Sequence, residues 1–128
     1  MRLHHVQVAI PSGGEELARR FYVAGLGMVE VEKPEPLRQR GGAWFRWYDD
    51  LGEVAAEIHA GVESSYRPAR KAHPALLLDS VAALDAVTEG LERLGFDVDH
   101  GERRTFPGHL RVHTFDGHGN RVELLALA

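Results

Sequence analysis

The chain has 128 residues, with 15 basic and 19 acidic side chains and a formal net charge of −4 at pH 7. Its length suits one compact domain, and 44% hydrophobic with 27% charged residues argues against disorder. The absence of cysteine excludes disulfides, thiolate nucleophiles and cysteine-ligated metals, and the mild acidity argues against a general nucleic-acid-binding protein. Because we find neither a secretory-signal pattern nor an apolar run of roughly 20 residues, we expect a cytoplasmic protein without membrane contact.

The first half of the chain predicts a strand, a helix and three further strands. The short apolar run Val6–Ile10 is typical of a strand. Ser12 is a candidate N-cap for a helix over Glu15–Ala24. The stripe that this helix would bury consists of Leu17, Ala18, Phe21 and Tyr22. Three strand candidates follow: Met28–Glu32, Ala43–Tyr48 and Val54–Ala60.

The second half predicts the same order of elements. An apolar run at Ala75–Leu78 is followed by Ser80, a candidate N-cap for a second helix that ends at Gly95. The apolar stripe of this helix consists of Leu84, Val87, Leu91 and Leu94. Three more strand candidates complete the half: Asp97–His100, His109–Phe115 and Asn120–Ala126.

The two halves also match in sequence. A shift of 68 positions, from 5 to 73, places His5 on His73 and likewise Leu26-Gly27 on Leu94-Gly95. A shift of 66 positions, from 57 to 123, places Glu57 on Glu123. We therefore predict an α+β fold of two βαβββ modules that pack together as a single domain over residues 1–128. Module one covers about residues 1–61, the linker 62–72 and module two 73–128.

Ligand-type residues lie at equivalent positions of this repeat. His5 and His73 stand at the first strand of each half, and Glu57 and Glu123 stand on the last. If the halves pair about a pseudo-twofold axis, two imidazoles and two carboxylates would surround one divalent cation. Such nitrogen and oxygen donors suit Zn, Ni, Co, Fe or Mn without distinguishing among them.

Other interpretations of these residues are open. Each of the four, taken singly, is compatible with an ordinary rim or solvent-facing position. His59 follows Glu57 by two residues, so both would point to one face of a strand. It could replace Glu57 as a ligand, transfer protons or line a pocket. His113 carries less information, because the pattern does not fix which face of its strand points inward.

The chain resembles the vicinal-oxygen-chelate superfamily, which includes glyoxalase I, bleomycin-resistance proteins, fosfomycin-resistance transferases and extradiol dioxygenases. The resemblance is carried by the segment His5–Ile10, by Leu26-Gly27, by His73-Pro74-Ala75-Leu76 and by the turn and strand at 116–124. That last segment is similar to the Asp-Pro-Asp-Gly-Asn-x-hydrophobic-Glu-Leu signature of the family.

The resemblance implies mixed sheets curled around a central cavity, a bound metal that adjacent substrate oxygens chelate, and a homodimer. It implies His5, His73 and Glu123 as shared ligands, with Glu57 as a fourth ligand of the glyoxalase I type. Bleomycin-binding members lack these ligands. The chain departs from glyoxalase I after Glu57, where it reads Ala60-Gly61-Val62-Glu63. This departure puts specificity for a glutathione–methylglyoxal adduct in doubt.

The favoured activity is that of a glyoxalase-like lyase or isomerase, in which the cation stabilises the enediolate of a small substrate with vicinal oxygens. Glu57 or Glu123 would act as the base, with His59 as the reserve candidate. Arg67, Arg70 and Lys71 could favour an anionic substrate, or simply form a solvated linker.

Two other functions stay open. A ligand set of only two histidines and one carboxylate would suit a dioxygenase or a fosfomycin-resistance-like transferase. A non-catalytic drug-binding resistance protein is the third possibility.

Overall fold

Each half of the chain forms a four-stranded mixed sheet in the computed structural model, which describes residues 1–128. The chain divides into two compact units, Met1–Pro68 and Ala69–Ala128, referred to below as the first and second unit. The predicted α+β class and the two βαβββ modules are confirmed. The helices are all too short or too polar to span a bilayer.

The first unit has the strand order β1-β4-β3-β2. Its strands are β1 (Val6–Ile10), β2 (Val29–Val31), β3 (Ala43–Tyr48) and β4 (Val54–Val62). β1 runs parallel to β4, whereas β3 is antiparallel to both β4 and β2. Its helices are α1 (Glu15–Arg19), which continues as a π-helical turn over Arg20–Gly25, and the short α2 (Glu35–Arg38).

The second unit repeats this topology with the order β5-β8-β7-β6. Its elements are β5 (Ala75–Leu77), α3 (Val81–Arg93), β6 (Val98–Asp99), β7 (His109–Phe115) and β8 (Arg121–Leu127). β5 runs parallel to β8, and β7 is antiparallel to both β8 and β6. The repeat seen in the sequence is therefore a repeat of topology.

Each unit buries one face of its sheet under its main helix. In the first unit Ala18, Phe21 and Tyr22 of the helix are fully buried, and Tyr22 stacks on Phe45 of β3 at 5.0 Å between ring centroids. In the second unit Leu84 and Leu91 of α3 are fully buried. The opposite face of each sheet carries the polar residues that concern function.

Both helices end in the same way. Gly27 and Gly95 adopt positive φ angles of 77° and 87°, and the next residue donates its N–H back to the helix. Only glycine adopts this conformation without strain, which explains why Leu-Gly recurs at equivalent places.

Several local predictions were wrong. Ser12 does not cap α1, whose N-cap is Gly14, because the chain makes a turn before the helix begins. Leu17 is 36% exposed, because it lies at the edge of the stripe that Ala18, Phe21 and Tyr22 bury. The helix Glu35–Arg38 was not predicted, and β4 extends to Val62, inside the predicted linker. Ser80 does cap α3, accepting from the backbone N–H of Ala83 at 3.1 Å.

Candidate metal centre

Three side chains of the second unit converge on the polar face of its sheet. His73 precedes β5, His113 lies on β7 and Glu123 lies on β8, and one donor atom from each lies within 4.8 Å of the others. His113 and Glu123 are direct cross-strand partners, so the antiparallel pairing places them on one face. The backbone N–H of Glu123 donates to the carbonyl of Pro74 at 3.0 Å, which fixes the chain beside His73.

Both histidines point the same ring nitrogen at the same carboxylate oxygen. His73 Nε2 lies 3.0 Å from Glu123 Oε2, and His113 Nε2 lies 3.5 Å from it. The other nitrogen of His73, Nδ1, lies 2.7 Å from the carbonyl oxygen of Lys71. Because a carbonyl can only accept, Nδ1 must carry the proton, and Nε2 of the neutral ring then presents a lone pair.

The Nε2 lone pair of His73 and the Glu123 oxygen are both electron-rich, so they repel each other at 3.0 Å unless a positive charge lies between them. Either a shared proton or a metal cation supplies that charge. A histidine that donates its outer N–H to a backbone carbonyl while its inner nitrogen faces a carboxylate ligand has the arrangement common in metal sites. The donor set therefore fits a divalent cation, which His73, His113 and Glu123 would hold.

Glu123 is a buried carboxyl group that its neighbours keep ionised. Its side chain is 7% exposed. Burial tends to raise the pKa of this carboxyl, but its contacts with the His73 ring and the Arg111 guanidinium outweigh burial and lower the pKa below its usual range. Glu123 is therefore a carboxylate at neutral pH, as a metal ligand must be.

Arg111 holds the other oxygen of Glu123 and was missed by the sequence analysis. Its Nη1 lies 3.4 Å from Glu123 Oε1. Its remaining donors contact the loop before β7: Nη2 donates to Thr105 Oγ1 at 2.8 Å, and Nε donates to the Glu102 carbonyl at 3.3 Å. Arg111 thus leaves Oε2 to the two histidines.

The first unit brings its own predicted residues together differently. Glu57, on β4, is 6% exposed and faces Arg46, its cross-strand partner on β3. Arg46 Nε donates to Oε2 at 3.0 Å, and Arg46 Nη2 donates to Oε1 at 3.4 Å. His59 Nε2 donates to Oε1 at 2.8 Å. Both oxygens of Glu57 are therefore occupied by protein donors.

The pKa values in the first unit follow from these contacts. Burial raises the pKa of Glu57, but the bonds from His59 and Arg46 outweigh burial and lower it. Burial lowers the pKa of His59 more than the neighbouring Glu57 raises it, so the ring is neutral at neutral pH.

His59 is also the middle ring of a stack. Its centroid lies 3.9 Å from that of Trp44 and 4.1 Å from that of His5, with interplanar angles of 2° and 16°. His5 is exposed, whereas His59 is buried. The stack fixes His5 beside the predicted pair of Glu57 and His59.

The structure thus brings the predicted residues together in two sets. His73 and Glu123 meet in the second unit, and His5, Glu57 and His59 meet in the first. That all four predicted ligands share one cation stays a prediction. His113 could have been found by pairing β7 against β8, because the turn between them places it opposite Glu123.

Comparison with known proteins supports the same family. The Glyoxalase/Bleomycin resistance protein/Dioxygenase superfamily matches residues 2–124. A solved glyoxalase family protein from Bacillus anthracis has 38% sequence identity, with 100% of each chain covered and a TM-score of 0.82. The fosfomycin resistance protein FosX from Listeria monocytogenes has 16% identity and a TM-score of 0.74, with 99% of this chain and 92% of that chain covered, and shares the fold. No match is found among curated proteins.

The family match over nearly the whole chain agrees with the duplicated topology and with the glycine-terminated helices. The chain therefore belongs to the Glyoxalase/Bleomycin resistance protein/Dioxygenase superfamily.

Proposed function

We propose that this protein is a metal-dependent enzyme that binds a divalent cation through His73, His113 and Glu123. The observation that carries the proposal is the placement of two imidazole Nε2 atoms against one carboxylate oxygen, at 3.0 and 3.5 Å. The substrate would be a small molecule with two adjacent oxygens. The bound cation would polarise those oxygens and stabilise negative charge that develops on them.

The surrounding residues would keep the three ligands in position. The Lys71 carbonyl holds His73 in the tautomer whose Nε2 lone pair can bind a cation. Arg111 occupies Oε1 of Glu123 and so orients Oε2 toward the histidines. Three protein ligands would leave coordination positions for two substrate oxygens.

The sequence predicted His5 and Glu57 as further ligands, but the proposed site consists of residues of the second unit alone. The ion pair of Glu57 with Arg46 favours three protein ligands over four. The proposed chemistry is of the lyase or isomerase type, in which a proton leaves the carbon next to a carbonyl. Glu57, Glu123 and His59 stay the predicted proton-transfer residues. An anionic substrate, a homodimer and a cytoplasmic location are also proposals.

The first test is metal binding. Protein stripped with a chelator should bind Co²⁺ and develop the visible absorption of a nitrogen- and oxygen-ligated ion. Glu123→Gln should weaken binding by at least about 100-fold, because it removes the anionic ligand. The matched control is Glu92→Gln, since Glu92 also lies 3.0 Å from a histidine, His100, but on the surface. Equal Co²⁺ binding by wild type and Glu123→Gln would contradict the proposed site.

The second test addresses the reaction class. Metal-loaded protein in D₂O should catalyse exchange of the proton next to the carbonyl of small hydroxy-carbonyl compounds, as followed by NMR. Glu123→Gln should lose this exchange, and Glu92→Gln should retain it. Metal binding without exchange on any compound of this class would overturn the lyase or isomerase assignment and leave the metal site standing.

One observation favours a second candidate. Two histidines and one carboxylate form the ligand set used by oxygen-activating Fe(II) enzymes. If this candidate holds, Fe(II)-loaded protein would consume O₂ with a catechol substrate, while the proton exchange would be absent. The similarity to FosX suggests a further assay, in which the loss of fosfomycin is measured in the presence of Mn²⁺-loaded protein.

A further inference from the structure

The two units differ at one position that faces the carboxylate. In the second unit His113 of β7 pairs directly with Glu123 of β8. In the first unit Arg46 of β3 pairs directly with Glu57 of β4. The strands, their antiparallel pairing and the carboxylate are equivalent. The side chain opposite the carboxylate is imidazole in one unit and guanidinium in the other.

This exchange changes how the carboxylate is neutralised. Arg46 reaches both oxygens of Glu57, at 3.0 and 3.4 Å, and His59 donates to Oε1 at 2.8 Å. The guanidinium carries a fixed positive charge and has no lone pair to offer a metal. A divalent cation approaching Glu57 would therefore meet a like charge and an occupied pair of oxygens.

The second unit also contains an arginine, but in a different place. Arg111 stands two residues before His113 on β7 and contacts only Oε1 of Glu123, at 3.4 Å. Its Nη2 and Nε are directed to the loop at Thr105 and Glu102. Oε2 consequently faces two imidazole nitrogens and no guanidinium.

We propose, building on the metal site of the proposed function, that the residue opposite the carboxylate decides which unit binds the metal. Arg46 is the internal counter-cation of Glu57 and keeps the first unit free of divalent metal. His113 leaves the equivalent place beside Glu123 open to a metal ion. Glu57 is then an ion-paired residue, and the chain binds one metal ion through the second unit.

The reciprocal exchange of the two residues tests this assignment. Co²⁺ stoichiometry is measured by equilibrium dialysis on chelator-stripped full-length protein. Wild type should bind one equivalent and His113→Arg none. Arg46→His should bind a second equivalent, because it places a new imidazole opposite Glu57, with His59 as a third donor. Adding Glu57→Gln to Arg46→His should remove this second equivalent.

Arg46→Met is the matched control. It removes the positive charge without adding a donor, so it should keep a single tightly bound equivalent. Thermal melting of each variant establishes that it is folded. A folded Arg46→His variant that binds only one equivalent would overturn the proposal.

A second measurement decides the matter if Arg46→His does not fold. Glu57→Gln in the wild-type background should keep the Co²⁺ affinity within about threefold and leave the visible spectrum unchanged. A loss of about 100-fold or more would make Glu57 a ligand and refute its assignment to Arg46. If wild type binds no metal at all, the proposed function fails. The gain of one equivalent in Arg46→His would still test the role of Arg46.

Discussion

The first and second units place the same chemical groups on the same sheet face in a different order. The first unit has Trp44 and Arg46 on β3 opposite His59 and Glu57 on β4. The second unit has Arg111 and His113 on β7 opposite Leu125 and Glu123 on β8. In each unit these four cross-strand positions thus contain one arginine, one histidine, one glutamate and one apolar side chain.

The order of these groups determines what each face can bind. In the first unit the arginine lies directly opposite the glutamate and donates to both of its oxygens. The pair has no net charge, and neither carboxylate oxygen is left for a cation. An arginine displaced by two residues touches a single oxygen, and the face keeps a carboxylate oxygen between two imidazoles. Cross-strand register, more than composition, therefore distinguishes the ion pair of the first unit from the candidate cation site of the second.

Adding a divalent metal should produce the largest difference in stability between the two units. At a free cation concentration of about 1,000 times Kd, binding adds about 4.1 kcal/mol to the free energy of unfolding of the structure that holds the cation. Mass spectrometry measures the hydrogen exchange of the backbone amides. We expect the amides of β7 and β8 around His113 and Glu123 to gain the most protection. A chelator should reverse the gain. Larger protection in β4 around Glu57 would place the cation in the first unit.

The helices of the two units should respond unequally to truncation. Leu84→Ala removes a fully buried side chain of α3 and should cost about 3 kcal/mol in the free energy of unfolding. Leu17→Ala at the start of the first helix should cost less than about 1 kcal/mol, because Leu17 is 36% exposed. Urea denaturation measures both values. Equal losses would mean that Leu17 packs as the sequence predicted.

Acid should weaken the ion pair of the first unit. The pKa of Glu57 is lower in the folded than in the unfolded chain, so the contribution of this group to stability is complete above the unfolded value. This contribution is lost as pH falls from about 4.5 through the folded pKa. In metal-free protein, Glu57→Gln should therefore flatten the decline of the melting temperature at low pH. An unchanged slope in this variant would contradict the pairing with Arg46 and His59.

The smallest expected effect concerns the helix caps. Ser80→Ala should cost about 1 kcal/mol, because it leaves the N–H of Ala83 without its side-chain acceptor. Ser12→Ala should change stability by less than about 0.5 kcal/mol, since Ser12 caps nothing. Urea denaturation compares the pair, and a matching loss for Ser12→Ala would restore the predicted cap.

The sequence contained most of the architecture. Apolar runs, the two Leu-Gly helix ends and the His and Glu matches at shifts of 68 and 66 positions predicted both βαβββ modules. The π-helical turn at Arg20–Gly25 was not predicted, because its apolar spacing does not differ enough from that of an α-helix. The predicted bounds of this helix, Glu15–Ala24, agree with the observed residues 15–25 when the π-helical turn is included.

The candidate site was only partly predictable. His73 and Glu123 followed from the repeat, which identifies equivalent positions. His113 does not have a histidine as its repeat partner, so symmetry could not select it. Its role depends on the register of β7 against β8, which is set by the turn between them and by packing of the opposite sheet face. The Arg46–Glu57 pair depends on register in the same way.

The cross-strand position occupied by Arg46 and His113 also has an evolutionary consequence. Codons for arginine and histidine can differ by one base, so a single point mutation interconverts the two side chains. Under the proposal, each unit is therefore one such substitution from gaining or losing the side chain that decides whether it binds a metal. Two such substitutions, one in each unit, would then move the proposed metal site between units whose strand pairing is already equivalent.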